Sequence, residues 1–379
     1  MNEPILYDTA IIGGGLAGLG LSIQLAKKGY KVILFEKETY PFHKVCGEYI
    51  SMESWPFLLS LGLPLADMHL PMIKKLVVTA PDGTALQEVL PLGGFGISRY
   101  TLDALLKDIA IKNGVTLIEN CKVSDVHFAD EQFTVQTTKG NFSSLVCCGT
   151  YGKKSNLDVK WKRAFTLNNS RKLNRYAGIK YHIQTDFPTD TIALHNFKNG
   201  YCGISKIEGD RYCLCYLTHT DNLKESNQSI EKLEEQFLSI NPHLKAIFQN
   251  SKKLYATPVS ISNISFLQKT QIEDHVILLG DAAGLITPLC GNGMSIALHG
   301  SKIAAGQVDL FLQKKINRGE MEAAYVKEWK FYFAKRLNYG RMIQYFFGKN
   351  WMTNMFIRMM RKMPAFTAWL IRQTHGKTF

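Results

Sequence analysis

Short apolar runs alternate along this chain with polar, glycine-bearing turns, and the period of each run sets the element it predicts. Ile5-Leu6-Tyr7 and Ala10-Ile11-Ile12 make one nearly continuous run, the pattern of a buried strand. Glycines follow at 13, 14, 15 and 18. A helix is expected from Leu16 to Lys28, Gly29 ends it, and Tyr30 to Phe35 reads as a second strand leading to Glu36. Further on, Ile73 to Ala80 and Ala85 to Leu90 flank Pro81-Asp82-Gly83-Thr84, a hairpin that leaves the first domain. Behind Arg99, the residues Leu102, Leu105, Leu106, Ile109 and Ala110 recur at helical spacing up to Asn113-Gly114. Val115 to Glu119, Val123 to Phe128, Phe133 to Thr138 and Leu145 to Cys148 predict strands that return to the first domain. From Ala177 to Leu217 the pattern is strand-like again, with turns at Asn199-Gly200 and Glu208-Gly209-Asp210, as for a mainly antiparallel substrate domain. Ser229 to Leu238 predicts an amphipathic helix, and His275 to Leu279 another buried strand.

The first 36 residues carry the most chemistry. A strand, a glycine turn, a helix, a second strand and an acid in that order make a dinucleotide site. Gly13 makes the tight turn, Gly15 lets a pyrophosphate approach the backbone, and Gly18 lets the helix pack on its strand. The helix start, Leu16-Ala17, aims free amides and the positive end of its dipole at the phosphates. Glu36 stands where a carboxylate accepts hydrogen bonds from a ribose diol.

Composition narrows the class. The 379 residues, 46% hydrophobic and 20% charged, suit two intertwined domains and an extension, since domains average roughly 150 residues. No apolar stretch reaches the roughly 18 residues that cross a bilayer, and no signal peptide is apparent, so the expected address is the cytoplasm. Eight cysteines, at 46, 121, 147, 148, 202, 213, 215 and 290, include no Cys-x-x-Cys pair, and most are expected to be buried thiols. No metal site is expected. The net charge of +13 is concentrated at one end, because residues 330–379 hold ten Lys and Arg and no Asp or Glu.

A second glycine motif identifies the relatives. His275 to Leu279 runs into Gly280-Asp281-Ala282-Ala283-Gly284, then Thr287-Pro288-Leu289-Cys290-Gly291-Asn292-Gly293-Met294. This resembles the glycine-aspartate motif of the FAD-dependent group A flavoprotein monooxygenases and the related geranylgeranyl reductases. The resemblance covers roughly residues 1 to 310. It implies an α/β fold, with a p-hydroxybenzoate hydroxylase-like, Rossmann-like FAD-binding domain, a mainly antiparallel β-sheet substrate domain and a helical C-terminal extension. It implies FAD as cofactor, with NADPH or NADH as candidate reductant. Asp281 would bond a ribityl hydroxyl, and the helix starting near Gly291 and Gly293 would point at the flavin pyrimidine, where a helix N-terminus suits negative charge. Arg99 matches an arginine that reaches the FAD side, and His43-Lys44-Val45-Cys46-Gly47-Glu48 resembles the Cys-Gly-Glu segment of geranylgeranyl reductases beside the flavin ring. The cofactor set implied is Gly13, Gly15, Leu16, Ala17, Gly18, Glu36, Lys37, Cys46, Gly47, Arg99, Val123, Gly149, Gly280, Asp281, Gly291, Gly293 and Met294. Cys46 is the one weak catalytic candidate. His182, His195, Tyr181 and Tyr201, in the expected substrate domain, read as packed or surface residues.

Two departures from the family bear on chemistry. An Asp-Gly pair usual after the strand ending near Cys148 is replaced by Gly149-Thr150-Tyr151-Gly152, which puts direct NADPH reduction in doubt. The Trp-x-Trp-x-Ile-Pro segment of the related halogenases is absent, which argues against halogenation.

The expected domains are 1–72, 98–160 and 272–312 for FAD, 73–97 and 161–271 for substrate, and 313–379 for a basic helical extension. In that extension Met352, Met355, Phe356, Met359, Met360 and Met363 form an apolar stripe, with Thr353, Asn354, Arg358, Arg361 and Lys362 on the other face. Upstream, Tyr345-Phe346-Phe347 and Trp351 add aromatic bulk. Such a helix packs on the core, lines a pocket or lies in a membrane interface. Nucleic acid is not expected as a partner. The function expected is an FAD-dependent oxidoreductase acting on a hydrophobic isoprenoid, polyene or aromatic substrate, by monooxygenation or double-bond reduction. The alternative is a flavin-bearing, membrane-associated electron-transfer or binding protein without substrate chemistry.

Overall fold

The computed structural model describes residues 5–167, 176–287, 291–347 and 349–379. In chain order its strands are β1 (Leu6–Ile12), β2 (Val32–Phe35), β3 (Tyr49–Ser51), β4 (Met72–Thr79), β5 (Ala85–Gly96), β6 (Thr116–Ile118), β7 (Val123–Ala129), β8 (Gln132–Thr137), β9 (Gly140–Gly149), β10 (Tyr176–Gln184), β11 (Thr191–Phe197), β12 (Gly200–Ile207), β13 (Arg211–His219), β14 (Lys252–Lys253), β15 (Val259–Ile264), β16 (Ile272–Glu273) and β17 (Val276–Leu278). The longer helices are α1 (Leu16–Ala26), α2 (Arg99–Lys112), α3 (Gly293–Leu312), α4 (Arg318–Phe346), α5 (Asn350–Lys362) and α6 (Pro364–Thr374).

These strands form two sheets. The first runs β16-β17-β9-β1-β2-β6, parallel from β17 to β6, with the β7–β8 hairpin added beside β9. Its central strands are buried on both faces, which is why they read as unbroken apolar runs. Helix α1 packs against α2 and α3 over this sheet. The second sheet runs β14-β10-β13-β12-β11-β4-β5-β3, with β15 on β10, and is antiparallel except where β11 meets β4.

Most expected elements are present, and several boundaries move. Helix α1 stops at Ala26, two residues before the expected Lys28, because the turn through Gly29 (φ 87°) already closes on the carbonyls of Ile23, Leu25 and Ala26. The β4–β5 hairpin forms around Gly83, and β5 continues beyond Leu90 to Gly96. There it pairs with β3, so Tyr49–Ser51, inside the segment assigned to the first domain, belongs to the second sheet. Ser229 to Leu238 is an α turn over Ile230–Leu233 followed by a π turn over Glu234–Leu238. The π turn presents Glu234 inward, where the Tyr181 and Tyr216 hydroxyls donate to it at 2.8 and 2.9 Å.

The methionine stripe is corrected. Thr353, expected on the polar face, is buried with Phe356, Ile357 and Met360, whereas Met355, Met359 and Met363 are exposed. Positions 353, 356, 357 and 360 share one face at i, i+3, i+4 and i+7, and the β4–β5 side of the molecule covers that face; the outer methionines lie around the helix from it. The Thr353 hydroxyl tolerates burial by donating to the Lys349 carbonyl at 3.1 Å. Pro288, Leu289 and Cys290, and the side chains of Tyr345 and Phe346, lie outside the described residues. Of the other cysteines, Cys121, Cys147, Cys148, Cys202 and Cys213 are buried thiols, and Cys46 and Cys215 are partly so.

Candidate active site

The glycine turn after β1 is built to leave no room for side chains. Gly13 has φ 107°, and a Cβ there would stand 2.8 Å from the Thr150 carbonyl oxygen; a Cβ on Gly18 would stand 2.1 Å from the Gly13 oxygen. Thr150, next to Gly149 at the end of β9, donates through its amide and hydroxyl to the Ile12 carbonyl at 2.8 and 3.0 Å. Leu16 and Ala17 open α1, whose N-terminus has no side-chain cap, so its first amides are free for an anion. The Cβ direction of Gly15 looks toward Arg99 Nη2 at 3.7 Å and Lys44 Nζ at 4.0 Å. Asp103 balances only one of those cations: Arg99 grips it bidentately at 2.7 and 2.8 Å and Lys44 reaches it at 2.9 Å. The helix amides and one surplus positive charge thus face the same spot, which suits a pyrophosphate.

Glu36 departs from the simple expectation. Its carboxylate accepts from the amides of Gly14 (2.9 Å) and Glu38 (3.1 Å), so in this structure it braces the glycine turn, with the Tyr40 hydroxyl donating to the Gly14 carbonyl on the same side. Lys37 points into solvent beside Glu38 and is not brought to the glycines. Val123 opens β7 in the core, in the hairpin that follows Cys121, whose amide bonds the Glu36 carbonyl at 2.9 Å.

The second motif arrives beside the first. Gly280 (φ 57°) follows β17, and a Cβ on it would touch the Ala17 Cβ at 3.4 Å. Asp281 stands at the start of the next turn, its carbonyl held by Lys269 Nζ at 2.8 Å; burial lowers the Lys269 ammonium to about 8. Gly291 (φ 65°) lies against the Tyr49 ring, and Gly293 and Met294 open α3, another helix start without a side-chain cap. From the other side comes the Lys44–Glu48 loop, pinned where Cys213 Sγ donates to the Cys46 carbonyl (3.2 Å), Ser205 Oγ to the Gly47 carbonyl (3.4 Å) and Lys153 Nζ to the Val45 carbonyl (3.0 Å). The set expected from sequence therefore converges, apart from Lys37 and the buried Val123.

Sequence reasoning missed the charged cluster at the end of that loop. Glu48, fully buried, accepts from Lys180 Nζ at 2.6 Å, from the Arg99 amide at 2.9 Å, and lies 2.5 Å from His182 Nε2. Burial pushes the Glu48 carboxyl up, but the His182 hydrogen bond and the Lys180 ammonium outweigh it and hold it below its ordinary range. His182 is thus neither a surface residue nor a passively packed one, and its ring meets His43 edge-on and Tyr255 at a tilt. Glu48, His182 and Cys213 could together hold a metal ion, all lying within 4.8 Å. Lys180 already supplies a cation to Glu48, and burial pushes the Cys213 thiol well up, so the trio favours protons over metal. The one available signal was a lysine and a histidine both pointing inward at i and i+2 of β10. His195 and Tyr181 are packed as expected, His195 against Thr79 at 2.9 Å and Tyr181 on Glu234; Tyr201 is buried in β12.

An apolar cavity of about 820 Å³, its open mouth included, begins at Tyr49 and Gly291. One wall is the second sheet, through Leu76, Val78, Leu86 and Ile192, and the other is α5 and α6, through Phe356, Met360 and Leu370. The Tyr49 hydroxyl is buried with no hydrogen-bond partner among the described residues.

Comparison with known proteins agrees with this geometry. A family model described as "NAD(P)-binding Rossmann-like domain" matches residues 11–45. Conditioned medium factor receptor 1 of Dictyostelium discoideum is 25% identical over 375 residues, covering 88% of this chain and 69% of that protein. Digeranylgeranylglycerophospholipid reductase of Methanococcus vannielii is 25% identical over 351 residues, covering 86% and 82%. The crystal structure of CmlS, a flavin-dependent halogenase, superposes with a TM-score of 0.76 at 19% identity over 91% of this chain, which spans 65% of that chain's length. Other relatives and structural neighbours include FAD-dependent halogenases, geranylgeranyl reductases and monooxygenases of the flavoprotein monooxygenase superfamily, the reductases and monooxygenases being those the two glycine motifs resembled.

Proposed function

We propose that this chain is an FAD-dependent oxidoreductase acting on a hydrophobic substrate, with reduction of a carbon-carbon double bond in an isoprenoid or polyene as its reaction. The cavity carries the reading. It begins at Gly291, beside the segment proposed to face the flavin, and its walls are almost wholly aliphatic and aromatic, as a hydrocarbon chain requires. An electron-transfer protein without substrate chemistry needs no such chamber, and the cavity counts against that alternative.

In this reading Gly13, Gly15, Leu16, Ala17 and Gly18 hold the pyrophosphate with Arg99 and Lys44, and Glu36 borders the adenosine, while Lys37, in solvent, and Val123, in the core, take no part. Gly149, Gly280 and Asp281 border the ribityl chain, while Cys46, Gly47, Gly291, Gly293 and Met294 border the ring. Bound FAD supplies the electrons, with NADPH or NADH as candidate donor. What the chain adds is position, exclusion of water and a proton. Double-bond reduction needs a proton at one carbon, and Tyr49 is the lining residue that meets Gly291. Its phenol is protonated at neutral pH, as a proton donor requires, although burial raises it further above its ordinary value and so weakens it as an acid. Tyr49→Phe is expected to keep flavin content and substrate affinity while lowering kcat about 100-fold, the lower end for loss of a general acid; an unchanged kcat removes Tyr49 from the reaction.

Monooxygenation is the second reading, favoured by the monooxygenases among the structural neighbours. Halogenases are also among them, although the Trp-x-Trp-x-Ile-Pro segment is absent. Anaerobic reduction of the holoprotein with NADPH, with and without a polyprenyl substrate, followed by oxygen in the presence of chloride and bromide, separates the three. A saturated product formed without oxygen supports the reductase; oxygen or halide in the product overturns it. A preparation that is colourless and takes up no added FAD overturns the whole reading.

A further inference from the structure

The helical C-terminal region presents two faces with different partners. The inner face of α5, Phe356, Ile357 and Met360, forms a wall of the cavity. On the outside, Trp351, Met355, Met359 and Met363 are 63, 57, 43 and 46% exposed, so about half of each large apolar side chain stands in water with nothing among the described residues covering it. The α5–α6 corner, Arg361-Lys362-Met363-Pro364-Ala365-Phe366, is exposed at every residue, and Phe366 stacks on Trp369 at 5.6 Å.

Charge decides what covers this surface. Residues 330–379 contain Lys330, Lys335, Arg336, Arg341, Lys349, Arg358, Arg361, Lys362, Arg372 and Lys377 and not one acid. Arg358 is paired with Asp82 and Arg336 with Glu53, while Arg361 and Lys362 stand exposed beside the outer methionines. Exposed tryptophan, phenylalanine and methionine interleaved with uncompensated cations match the boundary of an anionic bilayer, where acyl chains meet phosphate headgroups. Among the described residues no helix is long and apolar enough to cross a membrane, so the contact is interfacial.

We propose that the outer face of α5 and the α5–α6 corner dock on an anionic lipid surface, and that the hydrophobic substrate passes from that surface between α5 and α6 into the cavity. The docking half stands on exposure and charge alone. The delivery half rests on the reading of the cavity as the substrate site.

The test uses the full-length holoprotein and vesicles of phosphatidylcholine with or without 30% phosphatidylglycerol, followed by sedimentation. The protein is expected to sediment with the anionic vesicles, at least about tenfold more tightly than with pure phosphatidylcholine, and to be released by raised salt. R361E/K362E should weaken that binding about tenfold or more, and M355S/M359S/M363S by a comparable factor, both with unchanged flavin content and Tm because every altered side chain is exposed. The single variants R361E and K362E, both at exposed cations of the α5–α6 corner, serve as further charge variants, should one of these fail to fold. Equal binding to both vesicle types, binding unaffected by these variants, or light scattering that shows M359S breaking up a dimer would overturn the proposal. Delivery is read separately: substrate in vesicles should be turned over faster by the parent than by R361E/K362E, while a detergent-dispersed substrate is turned over equally. Loss of binding leaves the active-site reading intact, and loss of activity on both substrate forms leaves the docking reading intact.

Discussion

Two buried carboxylates stand at either side of the Lys44–Glu48 loop, and they hold their cations in opposite ways. Asp103 takes Arg99 from four residues earlier on the same helix and Lys44 from the adjoining loop, and both cations keep part of their surface in water. Glu48 takes Lys180 and His182 from a strand of the other sheet, and all three are almost fully out of solvent. The first cluster tunes a local site with a surplus positive charge. The second bolts the Lys44–Glu48 loop to β10 of the second sheet, and its failure has no solvent to soften it.

That contrast is open to attack, beginning with its strongest element. Glu48→Ala leaves Lys180 buried without a counter-charge and should cost about 3 to 5 kcal/mol, read as a lowered denaturation midpoint. Lys180→Met added to it should recover much of the loss, since an apolar replacement of the whole pair removes the stranded charge; no recovery would mean that Glu48 acts through some other contact. Asp103→Ala should cost less, about 1 to 3 kcal/mol, because Arg99 and Lys44 can reach water, and its main effect should be on FAD affinity. Equal losses at the two sites would erase the distinction.

Acid gives the smallest and finest test. Glu48 and Asp103 both titrate below their ordinary values of 4.5 and 3.8, as the cations opposite each outweigh burial. The unfolded chain therefore takes up protons that the folded chain refuses, so their stabilisation is present above those values and is lost as pH falls through the lower folded ones. His195 adds a separate window, because burial and then His243 lower its imidazole to about 3 from 6.5. It is neutral in the fold, so stability should already decline as pH drops below about 6.5. His195→Gln should make the decline between pH 6.5 and 4.5 shallower without abolishing it, because burial also lowers His43, His299 and His375. It should leave the acid limb, which Glu48 and Asp103 share with Asp82, Asp125, Asp190 and Asp309. A profile unchanged between pH 6.5 and 4.5 would refute the neutral His195.

What could be read in advance follows the same division. Ser98 caps α2 through a bond from the Thr101 amide, and Arg99 and Asp103 are one helical turn apart, so their pairing follows from local spacing. The glycine turn and Gly280 were legible for a related reason: a backbone that must turn sharply or approach a ligand admits few residue types. The methionine stripe was legible only in part. Its period is helical, but apolar residues at 352, 355, 356, 359, 360 and 363 cover too wide an arc to show which half faces the core. The sheet and Asp82 under α5 made that choice.

The amino-acid order by itself determined the two glycine motifs, the alternation of strand and helix, and a C-terminal region with ten cations and no acids. Each depends on residues close together in the chain, where sterics and hydrogen bonding act without reference to the rest. Only the tertiary structure decided that Tyr49 joins the second sheet, that Glu48 meets Lys180 and His182 across 132 and 134 residues, and that α5 with its C-cap Met363 shows three methionines to solvent. Those outcomes are set by which surfaces exclude water together, a property of the packed assembly that no stretch of sequence carries alone.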